Sequence, residues 1–237
     1  MIIQDHAKDR SIITQKISSE WLTCNNVLLD VLRLDELHPV ISGNKWFKLK
    51  YYLEEAKAKG LKTVATFGGA YSNHIAATAY ACKLAGLKSI GIIRGEKPKE
   101  LSHTLLFAHQ NNMELNFVSR QAYKNKEAMK ETIKNVYWID EGGYGTLGLK
   151  GASEILQQAE NFEEYTHIVS AVGTGTTLAG IIKSALPHQN IVGISVMKGN
   201  TSLAEQVKDL LPDAFNFTIV HDYHFGGYAR YTNRLLS

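Results

Sequence analysis

The stretch Thr63-Val-Ala-Thr-Phe-Gly-Gly-Ala-Tyr-Ser-Asn-His-Ile-Ala-Ala-Thr-Ala-Tyr-Ala-Cys-Lys-Leu-Ala-Gly86 decides the fold. Thr63–Phe67 is a run without polar alternation, as expected of a strand covered on both faces of a parallel sheet. Two glycines break it, and Ile75–Leu84 follows as an apolar helix. The same unit recurs along the chain. Candidate strands are Thr63–Phe67, Ser89–Arg94, Glu114–Val118, Tyr137–Asp140, His167–Val172, Asn190–Val196 and Phe217–Asp222. Helical segments of about ten to fifteen residues separate them, the spacing of βαβ units. Helix Trp46–Lys59 sets Trp46, Leu49, Leu53 and Ala56 on one stripe and stops at Gly60. The expected class is α/β, with doubly wound, mostly parallel sheets.

The chain has 237 residues, 44% hydrophobic and 21% charged, enough for one large domain or two modest ones. Its 26 basic and 23 acidic residues are intermixed, which argues against a nucleic-acid or membrane partner. Cys24 and Cys82 form neither a disulfide framework nor a zinc spacing, so no metal is expected. The start, MIIQDHAKDR, lacks the apolar core of a signal peptide, and Ile75–Leu87 is too short to span a bilayer. A reduced, soluble, cytoplasmic protein is expected. No linker marks a domain boundary, and the four prolines all fall between candidate elements. The glycine cluster Glu141–Gly148 is the candidate hinge.

Three constellations carry chemistry. In Ser42-Gly-Asn-Lys45, just before a helix, the partial positive charge of the helix N-terminus favours a neutral, nucleophilic lysine. Taken alone, it reads first as an exposed lysine after a turn. In Gly68-Gly-Ala-Tyr-Ser-Asn-His74, Ser72 or Asn73 caps the next helix, and the loop either simply caps or also receives a carboxylate. His74 satisfies a local hydrogen bond or touches substrate. In Val172-Gly-Thr-Gly-Thr-Thr-Leu-Ala-Gly180, backbone N–H groups and threonine hydroxyls suit one isolated phosphate. A dinucleotide site would need glycine at Leu178 and an acid ending the next strand, and a P-loop would need Gly-Lys-Ser/Thr. A lysine nucleophile, a carboxylate pocket and a phosphate cup together are what an amino-acid enzyme using pyridoxal 5′-phosphate requires.

The segments SGNKWFKLKYYL (Ser42–Leu53), FGGAYSNHIAATAYACKLAG (Phe67–Gly86), IIRGE (Ile92–Glu96), EGGYGTLGLKG (Glu141–Gly151), GTGTTLAG (Gly173–Gly180) and IVGISV (Ile191–Val196) occur in a recognisable order. In them the chain resembles the 1-aminocyclopropane-1-carboxylate deaminase/D-cysteine desulfhydrase family of tryptophan-synthase-β-like enzymes, fold type II. The resemblance implies that Lys45 carries the cofactor as an imine and acts as base. It implies that Ser72 holds the substrate carboxylate and becomes a nucleophile where a cyclopropane ring is opened. Asn73 would lie against the cofactor's 3′-oxygen, His74 beside the substrate, and Gly173, Thr174, Gly175, Thr176 and Thr177 around the phosphate. Tyr228, in Gly226–Ala229, would face the substrate. A large domain of residues 1–45 and 144–237, a smaller one inserted at 46–143, and a homodimer are implied.

The implied reaction is a deamination or lyase reaction on a small amino acid, 1-aminocyclopropane-1-carboxylate or one like D-cysteine, giving a keto acid and ammonia. The alternatives are a relative that binds the cofactor with little turnover, an NAD-type oxidoreductase and a non-enzymatic binding module. Two departures stand out. The segment before Lys45 is short, with His38-Pro-Val-Ile41 leading into the lysine motif. The family's C-terminal Pro-Val-Tyr segment, source of a second tyrosine and of the pyridine-nitrogen partner, is absent. Arg230–Ser237 reads as a helix start with no stop signal, so further sequence is expected beyond it.

Overall fold

The structure, a computed structural model, describes residues 12–41, 43–223 and 225. It opens with an antiparallel pair, β1 (Thr14–Ile17) and β2 (Leu29–Leu32), joined through the short helix α1 (Glu20–Cys24), with Thr14 opposite Leu32. This pair is a correction, since no strand is expected before Thr63. Its strands are half exposed and carry no continuous apolar run, so the parallel-sheet pattern does not find them.

Helix α2 (Asn44–Ala58) leads into β3 (Thr63–Gly68), α3 (Asn73–Leu84), β4 (Lys88–Arg94), α4 (His103–Gln110), β5 (Met113–Val118), α5 (Lys126–Thr132) and β6 (Tyr137–Ile139). The four strands form a parallel sheet in the order β5-β4-β3-β6. The apolar stripe of α2, Trp46, Leu49, Leu53 and Ala56, is buried with Val64, Ala77, Ala81, Tyr137 and Ile139. Phe67 and Ile92 pack with Tyr123 and Met129 in a separate cluster. Helical segments thus cover both faces of this sheet.

The chain continues through α6 (Thr146–Ala152), β7 (His167–Val172), α7 (Thr176–Ser184), β8 (Asn190–Ser195), α8 (Leu203–Leu210) and β9 (Phe217–Val220). These strands form a second parallel sheet, β7-β8-β9. Val172 and Ile191 pack under Leu178, Ile182, Leu203 and Val207 of α7 and α8. On its other face Val169 stands 62% exposed. Double winding therefore holds for the four-stranded sheet, while the described residues cover only one face of the three-stranded one.

Helix boundaries shift where polar residues begin helices. α2 starts at Asn44, so Lys45 lies inside its first turn rather than before it, and α3 starts at Asn73, capped by Ser72. Gly60, at φ 70°, ends α2 where a left-handed residue is needed. α6 wedges against α2 and α7 through glycines: a Cβ at Gly151 would fall 1.9 Å from the Phe47 carbonyl oxygen, and one at Gly180 would fall 2.4 Å from Ala152 Cβ. This contact fixes the N-terminus of α2 relative to that of α7.

Candidate active site

Parallel sheets leave crevices at the carboxyl ends of their strands. Here the end of β3, the end of β7 and the start of α2 converge on a cleft of about 510 Å³. From α2 come Asn44, Lys45 and Lys48; from the loop after β3, Gly69 to His74; from the loop after β7, Gly173 to Gly175 and then Thr177. Arg94 ends β4, the turn Glu141–Gly143 closes one side, and Val196 and Met197 close another. Lys45, Ser72, Asn73, His74, Gly173, Thr174, Gly175 and Thr177 thus share one cleft. Thr176 is fully buried beneath it, its hydroxyl 3.5 Å from that of Thr174. Tyr228 lies outside the described residues.

Asn44 ties the lysine to the glycine loop. Its Oδ1 accepts from Lys45 Nζ at 2.7 Å, and its Nδ2 donates to Thr177 Oγ1 at 2.8 Å. Burial pushes the Lys45 ammonium down to about 8. Lys48, one turn on, is 2% exposed and held well below the usual lysine range by burial and then by Lys45.

Across the cleft, Ser72 Oγ accepts from the Ile75 N–H at 3.4 Å, leaving its own proton free to donate. His74 is buried against Thr66, with Nε2 2.8 Å from Thr66 Oγ1. The Thr66 hydroxyl gives its only proton to the Ile139 carbonyl at 2.8 Å, so it can only accept from His74. His74 is therefore the Nε2–H tautomer, and its Nδ1 lone pair has no hydrogen-bond partner. Burial first, then Lys45 and Lys48, hold this imidazole neutral.

The loop after β7 ends in Gly175, at φ 79°, which caps α7 and frees the first N–H groups of that helix. A Cβ at Gly173 would meet nothing within 4 Å, so a ligand can approach this backbone closely. Gly142 presses on the same loop, its missing Cβ lying 2.7 Å from Thr174 Cγ2. A shallower neighbouring cleft of about 490 Å³ shares Arg94 and Glu141 and is otherwise lined by residues 123–127. Glu141 is paired there with Lys126 at 2.7 Å.

Sequence reasoning assigned no role in this cleft to Asn44, Lys48, Arg94 or Glu141, nor to Thr66 behind His74. For Lys48 a signal existed, since spacing i, i+3 from Lys45 places both on one helix face. Asn44 touches a residue 133 positions away, which no local pattern reveals. Among the described residues no helix is long and apolar enough to cross a membrane.

A Thermotoga maritima protein provisionally named 1-aminocyclopropane-1-carboxylate deaminase is 34% identical over 84% of this chain and 71% of its own length. A Salmonella typhi D-cysteine desulfhydrase is 27% identical over 74% of this chain and 58% of its own. The chain thus spans about three-fifths to seven-tenths of the length of these relatives. A crystal structure of an ACC deaminase homologue superposes with a TM-score of 0.75 at 25% identity, covering 97% of this chain and 78% of that one. The profile of the pyridoxal-phosphate dependent enzymes matches residues 23–221, spanning the cleft residues from Asn44 to Met197, and the chain belongs to that family.

Proposed function

We propose that the cleft holds pyridoxal 5′-phosphate, attached covalently through Lys45 Nζ, and that the protein deaminates or cleaves a small amino acid. One observation carries the proposal: a buried amine with a depressed pKa and a glycine–threonine loop at a helix N-terminus are joined by Asn44 in one cleft. The residues fit the cofactor's parts. The open space at Gly173, the free N–H groups of Thr176 and Thr177 and the hydroxyls of Thr174 and Thr177 suit a phosphate. Because Thr177 Oγ1 accepts from Asn44, its own proton is free for that phosphate. Asn73 lines the same cleft, and its contact with the ring oxygen rests on the family resemblance.

The bound cofactor supplies an electron sink for negative charge developing on the substrate. The protein supplies position and proton control. Lys45, with its proton affinity lowered by burial, can take and return a proton at Nζ near neutral pH. Ser72 Oγ–H and the first N–H groups of α3 are aimed to receive a carboxylate. Tyr228 facing the substrate rests on the family resemblance alone. The proposal also takes residues 46–143 as a smaller inserted domain beside one of residues 1–45 and 144–237. The separate sheets at 63–139 and 167–220 support it. Cytoplasmic location and a homodimer complete the reading.

The test loads the protein with pyridoxal 5′-phosphate, reduces it with borohydride and maps the tagged peptide. Keto-acid release is then assayed with D-cysteine, D-serine and 1-aminocyclopropane-1-carboxylate. A tag on Lys45 with keto acid from at least one substrate is expected. A tag on Lys48, or none, overturns the assignment.

A further inference from the structure

The shallower cleft of about 490 Å³ is left unused by the cofactor reading. Arg94 and Glu141 line it together with residues 123–127, and the same pair lines the main cleft, so the two adjoin there. Its acids are already matched: Glu141 pairs with Lys126 at 2.7 Å, and Glu127 with Lys130 at 2.9 Å. Arg94, at the end of β4, forms no ion pair among the described residues. Its guanidinium lies 5.5 Å from the centroid of the Tyr123 ring, and Lys126 Nζ lies 5.2 Å from the same centroid. Two cations thus crowd one ring, and only Lys126 has a counter-ion. Three cations and two carboxylates line the cleft, which leaves it one net positive charge.

Tyr123 supplies an independent observation. It is 4% exposed, it lines this cleft, and its hydroxyl has no hydrogen-bond partner among the described residues. Burial first, then the neighbouring Glu141, keep the phenol protonated, so it is a donor. A buried donor left unmatched costs stability, and a ligand that accepts from it removes the cost. On its other side Arg94 reaches the loop after β3: a carbon added at Gly69 would lie 3.5 Å from Nη2. That loop leads to Ser72 and the first N–H groups of α3, the place proposed above for the substrate carboxylate. The guanidinium therefore stands between that pocket and Tyr123.

We propose that Arg94 and Tyr123 form a side-chain subsite, and that the substrate is a small amino acid whose side chain carries a second carboxylate. The guanidinium takes that carboxylate through its paired N–H groups, and the phenol donates to one of its oxygens. One carboxylate neutralises the single net charge of the lining, which a phosphate dianion would exceed. Docking changes no covalent bond. The inference deepens the functional reading above and rests on it.

The experiment is calorimetric titration of the protein loaded with pyridoxal 5′-phosphate, using aspartate and its neutral isostere asparagine, each enantiomer in turn. Wild type is expected to bind one enantiomer of aspartate roughly tenfold tighter than the matching asparagine. Arg94→Gln is expected to bring that ratio near one. Tyr123→Phe is expected to lower it about threefold while raising Tm by roughly 2–4 °C, because the unmatched hydroxyl is gone. A tyrosine with a merely structural role would lower Tm and leave the ratio alone. No preference in wild type, or a preference kept in either variant, overturns the inference. So does an equal loss for both amino acids in Arg94→Gln, which makes Arg94 the partner of the α-carboxylate instead. A larger Arg94-dependent gain for O-phosphoserine over serine overturns the choice of a carboxylate. Borohydride tagging of Lys45 in the same preparation separates the two readings. A tag without aspartate preference sinks this inference alone, and no tag sinks the cofactor reading with it.

Discussion

Asn44 Nδ2 donates to Thr177 Oγ1 at 2.8 Å, bridging the first turn of α2 and the first turn of α7. The same amide accepts from Lys45 through Oδ1. One side chain therefore sets the distance between the reactive amine and the glycine loop. Asn44→Ala removes both bonds and leaves Lys45 free to swing. Losing them costs about 1–3 kcal/mol, so pyridoxal 5′-phosphate affinity should fall roughly ten- to a hundredfold. Absorbance titration with the cofactor measures it. Affinity within twofold of wild type would mean that the bridge does not position the amine.

Lys45 should react as a base of midpoint about 8, against roughly 10.4 for a free lysine. The sign follows from burial, which disfavours the ammonium and leaves the neutral amine populated at lower pH. Competitive acetylation of the cofactor-free protein, followed residue by residue across pH 6–11, reads this directly. Lys45 modification should rise through about pH 8, well below the roughly 10.4 of a free lysine. The linkage has a matching sign. The folded state binds fewer protons at this site than the unfolded chain between about 8 and 10.4, so this group's contribution to stability improves as pH rises through that window. A Lys45 midpoint above 10 would contradict the burial argument.

These two residues also show what a sequence can carry. β7 is read to the residue, His167–Val172, because its apolar run ends at a glycine loop. Lys45, Ser72 and Gly173 are visible as candidates because each sits where a loop meets a helix, a local signal. The β1–β2 pair is not, since Thr14-Gln-Lys-Ile17 has neither a run nor an alternation to mark it. Lys48 shows in the sequence only as a lysine one helical turn from Lys45. Its burial comes from the turn at Gly143 and from His74, contacts that exist only once the chain has folded. The hidden parts of the cleft are therefore relations between distant residues, while the visible ones are single loops.

Two glycines, Gly151 packed against the backbone of α2 and Gly173 in the cleft, separate folding from ligand binding. At Gly151 a methyl would lie 1.9 Å from the Phe47 carbonyl oxygen and 2.7 Å from its carbon, both backbone atoms of α2. No flexible side chain can yield there, so the helices must part, at a cost of about 1–3 kcal/mol or more. Gly151→Ala should lower Tm by roughly 3–10 °C. It should also weaken cofactor binding, because α2 carries Asn44, Lys45 and Lys48. At Gly173 a methyl would meet nothing within 4 Å, and the backbone there is not left-handed. Gly173→Ala should leave Tm unchanged or slightly raised, since the unfolded chain loses freedom. The methyl fills the space a phosphate needs, and affinity for pyridoxal 5′-phosphate should drop tenfold or more, about 1.4 kcal/mol. Differential scanning calorimetry of the cofactor-free variants, beside cofactor titration of each, makes the comparison. A Gly173→Ala protein that binds the cofactor as wild type does would remove the phosphate from this loop, and a Gly151→Ala protein of unchanged Tm would show that α2 and α6 can slide apart freely.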